Sequence, residues 1–268
     1  MCGRYAASTR PEDLVEEFEV VQRPEQVLAP SYNVAPTDEV YAVLERPPHG
    51  EPNAEPVRTL RTVRWGLVPS WAKDPSIGSH MINARMETVA DKPAFKRAFA
   101  KRRCLLPADG YFEWYGETKG KKQPFFITPS DGRPLAMAGL YELWRDRSKG
   151  DDDPDRWLWT CTVLTTSAED DLGRIHDRMP LLVERERQAD WLDPSRDDPD
   201  ELRSLLVPAA PGRLTAFPVS TEVNSVRNNG PSLIEPIPAL GEPGPGARLR
   251  DQPDQSDPGD QGEQDQLF

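Results

Sequence analysis

The sequence begins Met-Cys-Gly-Arg-Tyr-Ala, and Cys2 is one of only three cysteines in 268 residues. A cysteine directly behind an initiator methionine has a chemical option closed to any internal cysteine. Trimming of Met1 leaves Cys2 with an α-amine and a thiol on adjacent carbons, a 1,2-aminothiol. Free α-amines titrate at about 7.7–8.0 and thiols at about 8.5, so a fraction of each is deprotonated at neutral pH. The amine condenses with an aldehyde to an imine, and the thiolate closes on the imine carbon to form a five-membered thiazolidine. The same group can instead attack a carbonyl, as N-terminal-nucleophile amidases do. Position alone separates neither option from an idle cysteine in a frayed terminus.

Polar and aromatic motifs elsewhere give Cys2 candidate partners. SYNVAPT (31–37) sets Asn33 and Pro36 in an extended stretch, and RWGLVPSWAKD (64–74) displays Trp65 and Trp71 around Pro69. MINARMETV (81–89) alternates Asn83, Arg85 and Glu87, which share one face if the segment is extended. RCLLPADGYFEWY (103–115) carries Glu113 inside an aromatic run, and RIHDRMPLLV (174–183) supplies His176 and Arg178. Each also has an ordinary structural use. Both tryptophans are candidates for the core. Glu113 points away from Phe112 and Trp114 on a strand and would meet solvent. His176 beside Asp177 suits a helix end or the surface, and Arg85 and Arg178 suit ion pairs with nearby acids.

The elements that must position these residues are mainly strands. DEVYAVLE, PVRTLRTVRWGLV, QPFFITP, RPLAMAGLYELW, RWLWTCTVLTT, MPLLV and RLTAFPVS are short runs rich in Val, Thr and aromatics, broken by Pro, Gly and Asp. STRPEDLVEEFEV, PAFKRAFAKR, AEDDLGRIH, ERERQADWL and DPDELRSLL read as helices scattered among them. The pattern predicts an α+β fold rather than a doubly wound sheet. Two polar, turn-rich stretches, 45–56 and 145–156, read as loops that each join the strands of a hairpin. We expect one domain over 1–240, then an acidic tail at 241–268 with too little apolar surface to order itself.

Composition excludes several classes. No apolar run reaches the 20 residues a membrane helix needs, and charges at Arg4, Arg10, Glu12 and Asp13 interrupt any secretory signal. Three widely spaced cysteines fit reduced thiols in a cytoplasm rather than a disulfide framework. With three histidines and no CxxC or HxxxH spacing, no metal site and no cofactor are expected. A net charge of −12 argues against nucleic acid, yet its distribution weakens that argument. The tail holds seven acids and two basic residues, DDDPD (151–155) is acidic, and DKPAFKRAFAKRR (91–103) and KGKK (119–122) are basic. An acidic body can carry a basic groove.

Taken in order, MCGRYA, YNVAPT, WGLVPSWAKD, INARMETV, RCLLPADGYFEW, AGLYELW and IHDRMPLLV resemble the SOS-response-associated peptidase (SRAP) family, the abasic-site-processing proteins. The resemblance runs from Cys2 to about Ser220, with the two loops as variable insertions and the tail outside it. It implies curved, barrel-like antiparallel sheets with flanking helices and a basic cleft for single-stranded DNA. It further implies that Cys2 cross-links the ring-opened aldehyde of an abasic site as a thiazolidine, shielding the lesion during the DNA damage response. The family's catalytic positions fall on Cys2, Asn83, Glu113 and His176. Its DNA-contacting arginines fall on Arg85 and Arg178, with Arg4 close to the cleft entrance; Trp71, by its own chemistry, offers a stacking surface to an unpaired base. A monomer is expected, in the cytoplasm and on the nucleoid when bound to DNA. Two other readings stay open: an N-terminal cysteine peptidase or amidase, and a reader of modified single-stranded DNA in which Cys2 is incidental.

Overall fold

A computed structural model describes residues 2–237 other than 49, 52, 117–121, 169, 209 and 211. The expected acidic tail lies outside the described residues. The chain forms twelve described strands: β1 (Tyr5–Ala7), β2 (Ser31–Val34), β3 (Glu39–Arg46), β4 (Val57–Trp65), β5 (Asn83–Arg85), β6 (Arg103–Ala108), β7 (Gly110–Tyr115), β8 (Gln123–Pro129), β9 (Leu135–Arg145), β10 (Trp157–Ser167), β11 (Arg178–Pro180) and β12 (Leu214–Pro218). Four short α-helices accompany them among the described residues: α1 (Pro11–Glu17), α2 (Lys96–Lys101), α3 (Gln188–Leu192) and α4 (Pro199–Ser204).

Five of the strands close on themselves. β3 pairs with β4 and β6, β6 with β9, β9 with β10, and β10 returns to β4 at Thr160 and Cys161. Strand alternation then splits the side chains of this ring into two sets. One set fills the ring: Ala42, Leu44, Val63, Trp65, Cys104, Leu106, Met137, Tyr141, Cys161 and Val163 lie in one buried cluster with Cys2, Tyr5 and Tyr111. The other set, including Val43, Leu60, Leu105, Leu140 and Leu164, packs outward against Leu14, Phe99, Trp191 and Leu202 of the helices. α1 starts where Pro11 supplies a preset φ and Glu12 and Asp13 face the positive helix end, and it buries Leu14 on the barrel.

A second sheet, in the order β12-β8-β7-β1-β2, lies against the barrel. It shares its inner face with the ring cluster through Tyr5 and Tyr111. Its other face buries Ala6, Phe112, Phe126, Val219, Val223 and Leu233.

The β-rich α+β fold and both hairpins match the sequence pattern: β3 to β4 and β9 to β10 enclose the two polar loops. Four details differ. β10 is parallel to β4 and to β5, because β4 and β5 come onto one edge of β10 after long connections rather than tight turns. MPLLV contributes only its first two residues to a strand, since β11 stops at Pro180 and Leu182 makes an isolated bridge to Met137. The AEDDLGRIH stretch forms a 3-10 segment at Asp170–Arg174, with Gly173 inside it, rather than an α-helix. In MINARMETV the strand ends at Arg85, and a turn in which Thr88 N donates to Arg85 O removes Glu87 from the shared face.

Candidate functional site around the N-terminal cysteine

β10 positions the site because its two ends have different neighbours. Through Val163 its edges are held by β9 and β4, and beyond that by the short β5 and β11. β5 is fixed by Val163 N donating to Ile82 O and Met86 N to Thr165 O, both at 3.0 Å. Ala84 points into the outer core, so Asn83 and Arg85 leave the strand on the opposite side. From there Asn83 Nδ2 donates to the Cys2 carbonyl at 2.7 Å. Asn83 Oδ1 is buried and has no hydrogen-bond partner among the described residues.

Cys2 is drawn in by the strand that follows it. β1 pairs with β7, Tyr5 opposite Tyr111, and Phe112 N donates to Arg4 O at 2.9 Å. The Cys2 side chain is fully buried, with Sγ 3.7 Å from Arg4 O. Burial pushes its thiol well above the usual range, and the Glu113 carboxylate pushes it further. Glu113 sits on β7 facing away from Phe112 and Trp114, as the alternation requires. Its face is the ring cluster rather than solvent, however, and it is only 4% exposed. Burial raises its carboxyl to about 7, with the positive charge of the N-terminus pulling the other way.

His176 precedes β11. Its Nδ1 accepts from Arg178 N at 2.9 Å and also lies 3.0 Å from Asp177 Oδ1, a contact that becomes an ion pair when the ring is protonated. Burial and then the N-terminal charge push its pKa below the usual imidazole range, so the neutral ring dominates at pH 7. Glu113 and His176 both respond to the N-terminal charge, to Asp177 and to Lys122. The Glu113 carboxylate also acts on the Cys2 thiol, whose carbonyl Asn83 holds.

The four residues expected to touch DNA divide into two kinds. Arg85 is exposed, and Trp71 is 61% exposed. The Trp71 loop is anchored where Gly66, at φ +120°, passes Gly78 so closely that a Cβ on Gly66 would stand 2.5 Å from the Gly78 carbonyl oxygen. Trp65, by contrast, is core, its Nε1 donating to Ile82 O at 2.9 Å. Arg178 and Arg4 are already engaged. Arg178 grips Glu87 with both Nη atoms, at 2.6 and 3.0 Å, and donates to Thr165 O at 2.6 Å, leaving it about 10% exposed. Arg4 Nη1 donates to Asn33 Oδ1 at 2.7 Å and Val223 O at 2.8 Å. Asn33 in turn donates to the carbonyls of Ser225 and Asn228, so Arg4 and Asn33 lash residues 223–228 to the second sheet.

Sequence reasoning assigned no site role to Lys122, Asp177, Glu87 or Tyr111. Lys122 was visible as the last residue of the basic KGKK run, and Asp177 as the neighbour of His176. Nothing local marked Glu87 as the partner of Arg178, 91 positions away.

Fold and site together define a β-barrel protein with an amide, a carboxyl and an imidazole gathered around its second residue. The SOS response associated peptidase (SRAP) family model matches residues 1–226, and the chain belongs to that family. It is 40% identical over 236 residues to the abasic site processing protein YoqW of Bacillus subtilis, covering 88% of this chain and 99% of that one. It is 36% identical over 246 residues to the abasic site processing protein YedK of Escherichia coli, covering 88% of this chain and all of that one. Among solved structures, a Bordetella bronchiseptica protein aligns at TM-score 0.64 with 27% identity over 82% of this chain and all of its own. A Bacteroides thetaiotaomicron protein aligns at TM-score 0.74 with 24% identity, over 88% of this chain and all of its own, and bears on the fold alone.

Proposed function

We propose that this protein processes abasic sites in single-stranded DNA by covalent capture, Cys2 forming a thiazolidine with the ring-opened sugar aldehyde once Met1 is removed. The observation that carries the reading is the Asn83 clamp. A side-chain amide reaches from β5 to hold the Cys2 carbonyl at 2.7 Å, fixing the backbone of the one residue able to present an amine and a thiol together.

Roles follow from what each step needs. Condensation requires an unprotonated amine, and a buried carboxyl titrating at about 7 is matched to accept its proton near neutrality. Asn83 Oδ1, without a partner among the described residues, is an acceptor ready for the Cys2 amine or a sugar hydroxyl. An abasic sugar rests mostly in its closed form, and His176, whose pKa burial lowers, is suited to moving the proton that opens it. Trp71 offers a stacking face to an unpaired base, and Arg85 a fork for a phosphate. Arg4 and Arg178 act in this reading mainly by holding residues 223–228 and Glu87.

A thiol peptidase is the weaker alternative. Such an enzyme needs a thiolate held at low pKa by a cationic neighbour, whereas burial and Glu113 both raise the Cys2 thiol. Imine formation before thiol addition does not start from a standing thiolate. In the test, the purified protein is incubated with an oligonucleotide containing one abasic site. A heat-stable adduct is expected from the wild type and none from Cys2→Ala. Equal adduct from Cys2→Ala rejects the capture mechanism, and steady turnover of peptides by the mature protein favours the peptidase.

A further inference from the structure

The loop that follows β4 carries Trp71 away from the barrel. Its first residues are tied down one after another: Gly66 N donates to Cys161 O at 2.8 Å, Leu67 N to Met81 O at 3.1 Å, and Val68 N to the buried Thr160 Oγ1 at 2.9 Å. Pro69 to Ala72 then make a turn closed by Ala72 N donating to Pro69 O at 2.9 Å, with Trp71 at its third position. The Trp71 ring is 61% exposed, so little packing fixes its direction and the backbone of the turn has to.

One side chain reaches that turn from outside. Trp144, near the end of β9, leaves the strand on the outer face of the barrel with Leu140 and Glu142. It is buried, and its Nε1 donates to Ala72 O at 2.7 Å. Among the described residues this is the only hydrogen bond that joins residues 69–73 to another strand or helix. A buried indole N–H takes an acceptor wherever it sits. Trp191, also buried, finds one inside the barrel wall, at Cys104 O on β6, 2.8 Å away. Trp144 takes its acceptor from a surface turn whose carbonyl water could otherwise satisfy. The same kind of bond holds a wall together in one place and a surface tryptophan in the other.

We infer that Trp144 is a positioning residue for DNA, its N–H latching the turn so that the Trp71 ring meets an unpaired base as a preset stacking face. The inference deepens the capture reading above, from which it takes Trp71 as the stacking residue. Ordering a mobile loop on binding subtracts from affinity, so stacking rewards a ring already in place. Loss of the latch weakens the hold on DNA and removes nothing from Cys2, Asn83, Glu113 or His176.

The test is a double-mutant cycle on the binding of an intact single-stranded oligonucleotide, read by titration. Trp144→Phe keeps a buried ring and loses the N–H, Trp71→Ala loses the stacking face, and a third variant carries both changes. Trp191→Phe loses an equivalent bond away from the loop and controls for lost stability. Trp144→Phe is expected to bind about threefold to tenfold more weakly than the wild type. Its slope of log affinity against log salt should not change, because no phosphate contact is lost. The double variant should bind within about twofold of Trp71→Ala, since the latch then has no ring to present. Trp191→Phe should bind as the wild type does while melting at a lower temperature. With a saturating abasic oligonucleotide, Trp144→Phe should form adduct at the wild-type rate. Wild-type affinity in Trp144→Phe, losses that add in the double variant, or an equal loss in Trp191→Phe would overturn the inference. Wild-type binding by Trp71→Ala would reject the stacking role of Trp71 and the latch with it, whereas absence of any adduct from the wild type would reject capture alone.

Discussion

The protein buries polar groups in two regions and treats them in opposite ways. Arg103, at the start of β6, is 2% exposed, yet its guanidinium donates to the carbonyls of Phe99, Ala100, Trp191, Asp193 and Arg196. These are the last carbonyls of α2 and of α3 and the loop after it, groups that a helix end leaves without partners. Around Cys2 the pattern reverses: Asn83 Oδ1, Tyr111 Oη and Tyr5 Oη are buried and unmatched among the described residues. A satisfied buried charge binds the fold together, at the desolvation cost reflected in an Arg103 pKa lowered to about 10. Unmatched groups weaken the fold.

This contrast can be broken most forcefully at Arg103. Replacing it with Leu strands several carbonyls at once and removes no group from the site, so a loss of about 3–5 kcal/mol in unfolding free energy is expected. Denaturant unfolding checks this, and a loss below about 1 kcal/mol would mean that the five contacts are incidental.

Glu113→Gln probes the other region, where the expected loss is in rate rather than stability. Adduct formation should slow by about 10²–10⁴-fold with intact single-strand binding little changed. The sign of the pH effect follows from the raised carboxyl. With a pKa near 7 in the fold against 4.5 for the ordinary carboxyl, the native state binds more protons between those values. The Glu113 contribution to stability is therefore complete below about pH 4.5 and is lost as pH rises through about 7. The Gln variant should lack that decline and gain stability relative to the wild type at pH 8. It should also lose the rise in adduct rate centred near pH 7. A variant less stable than the wild type at pH 8 would make Glu113 a structural residue.

The smallest effects belong to the exposed side chains. Trp71→Ala should weaken intact single-strand binding by roughly 1–3 kcal/mol. Arg85→Gln should lower the slope of log affinity against log salt by about 0.7, one phosphate contact. Titrations at several salt concentrations measure both, and no change in either would move the DNA path away from β5 and the Trp71 loop.

The same contrast explains what the sequence made legible. The strands around both polar loops were readable because Val, Thr and aromatic residues alternate between turn residues, and each loop had to return the chain to its neighbour. The residues gathered near Cys2 were readable as chemical types at recurring motifs. Their partnerships were not. Alternation indicated that Glu113 faces away from Phe112, but whether that face meets water depends on the barrel closing beneath it. Arg178 read either as a DNA contact or as an ion-pair partner of some nearby acid and Arg4 as a residue of the cleft, but Glu87 and Val223 reach them only through folding, across 91 and 219 positions. The Tyr111 hydroxyl read as one aromatic among several, since a missing partner has no local sequence signature.

The measurement closest to the central claim is the intact mass of the protein after reaction with an abasic oligonucleotide. The wild type should appear without Met1 and joined to the DNA with loss of one water, in a heat-stable product. A variant with a single glycine inserted between Met1 and Cys2 keeps the thiol but separates it from the terminal amine, and should give no heat-stable product. A heat-stable adduct of equal yield from the inserted variant would contradict capture by the Cys2 aminothiol.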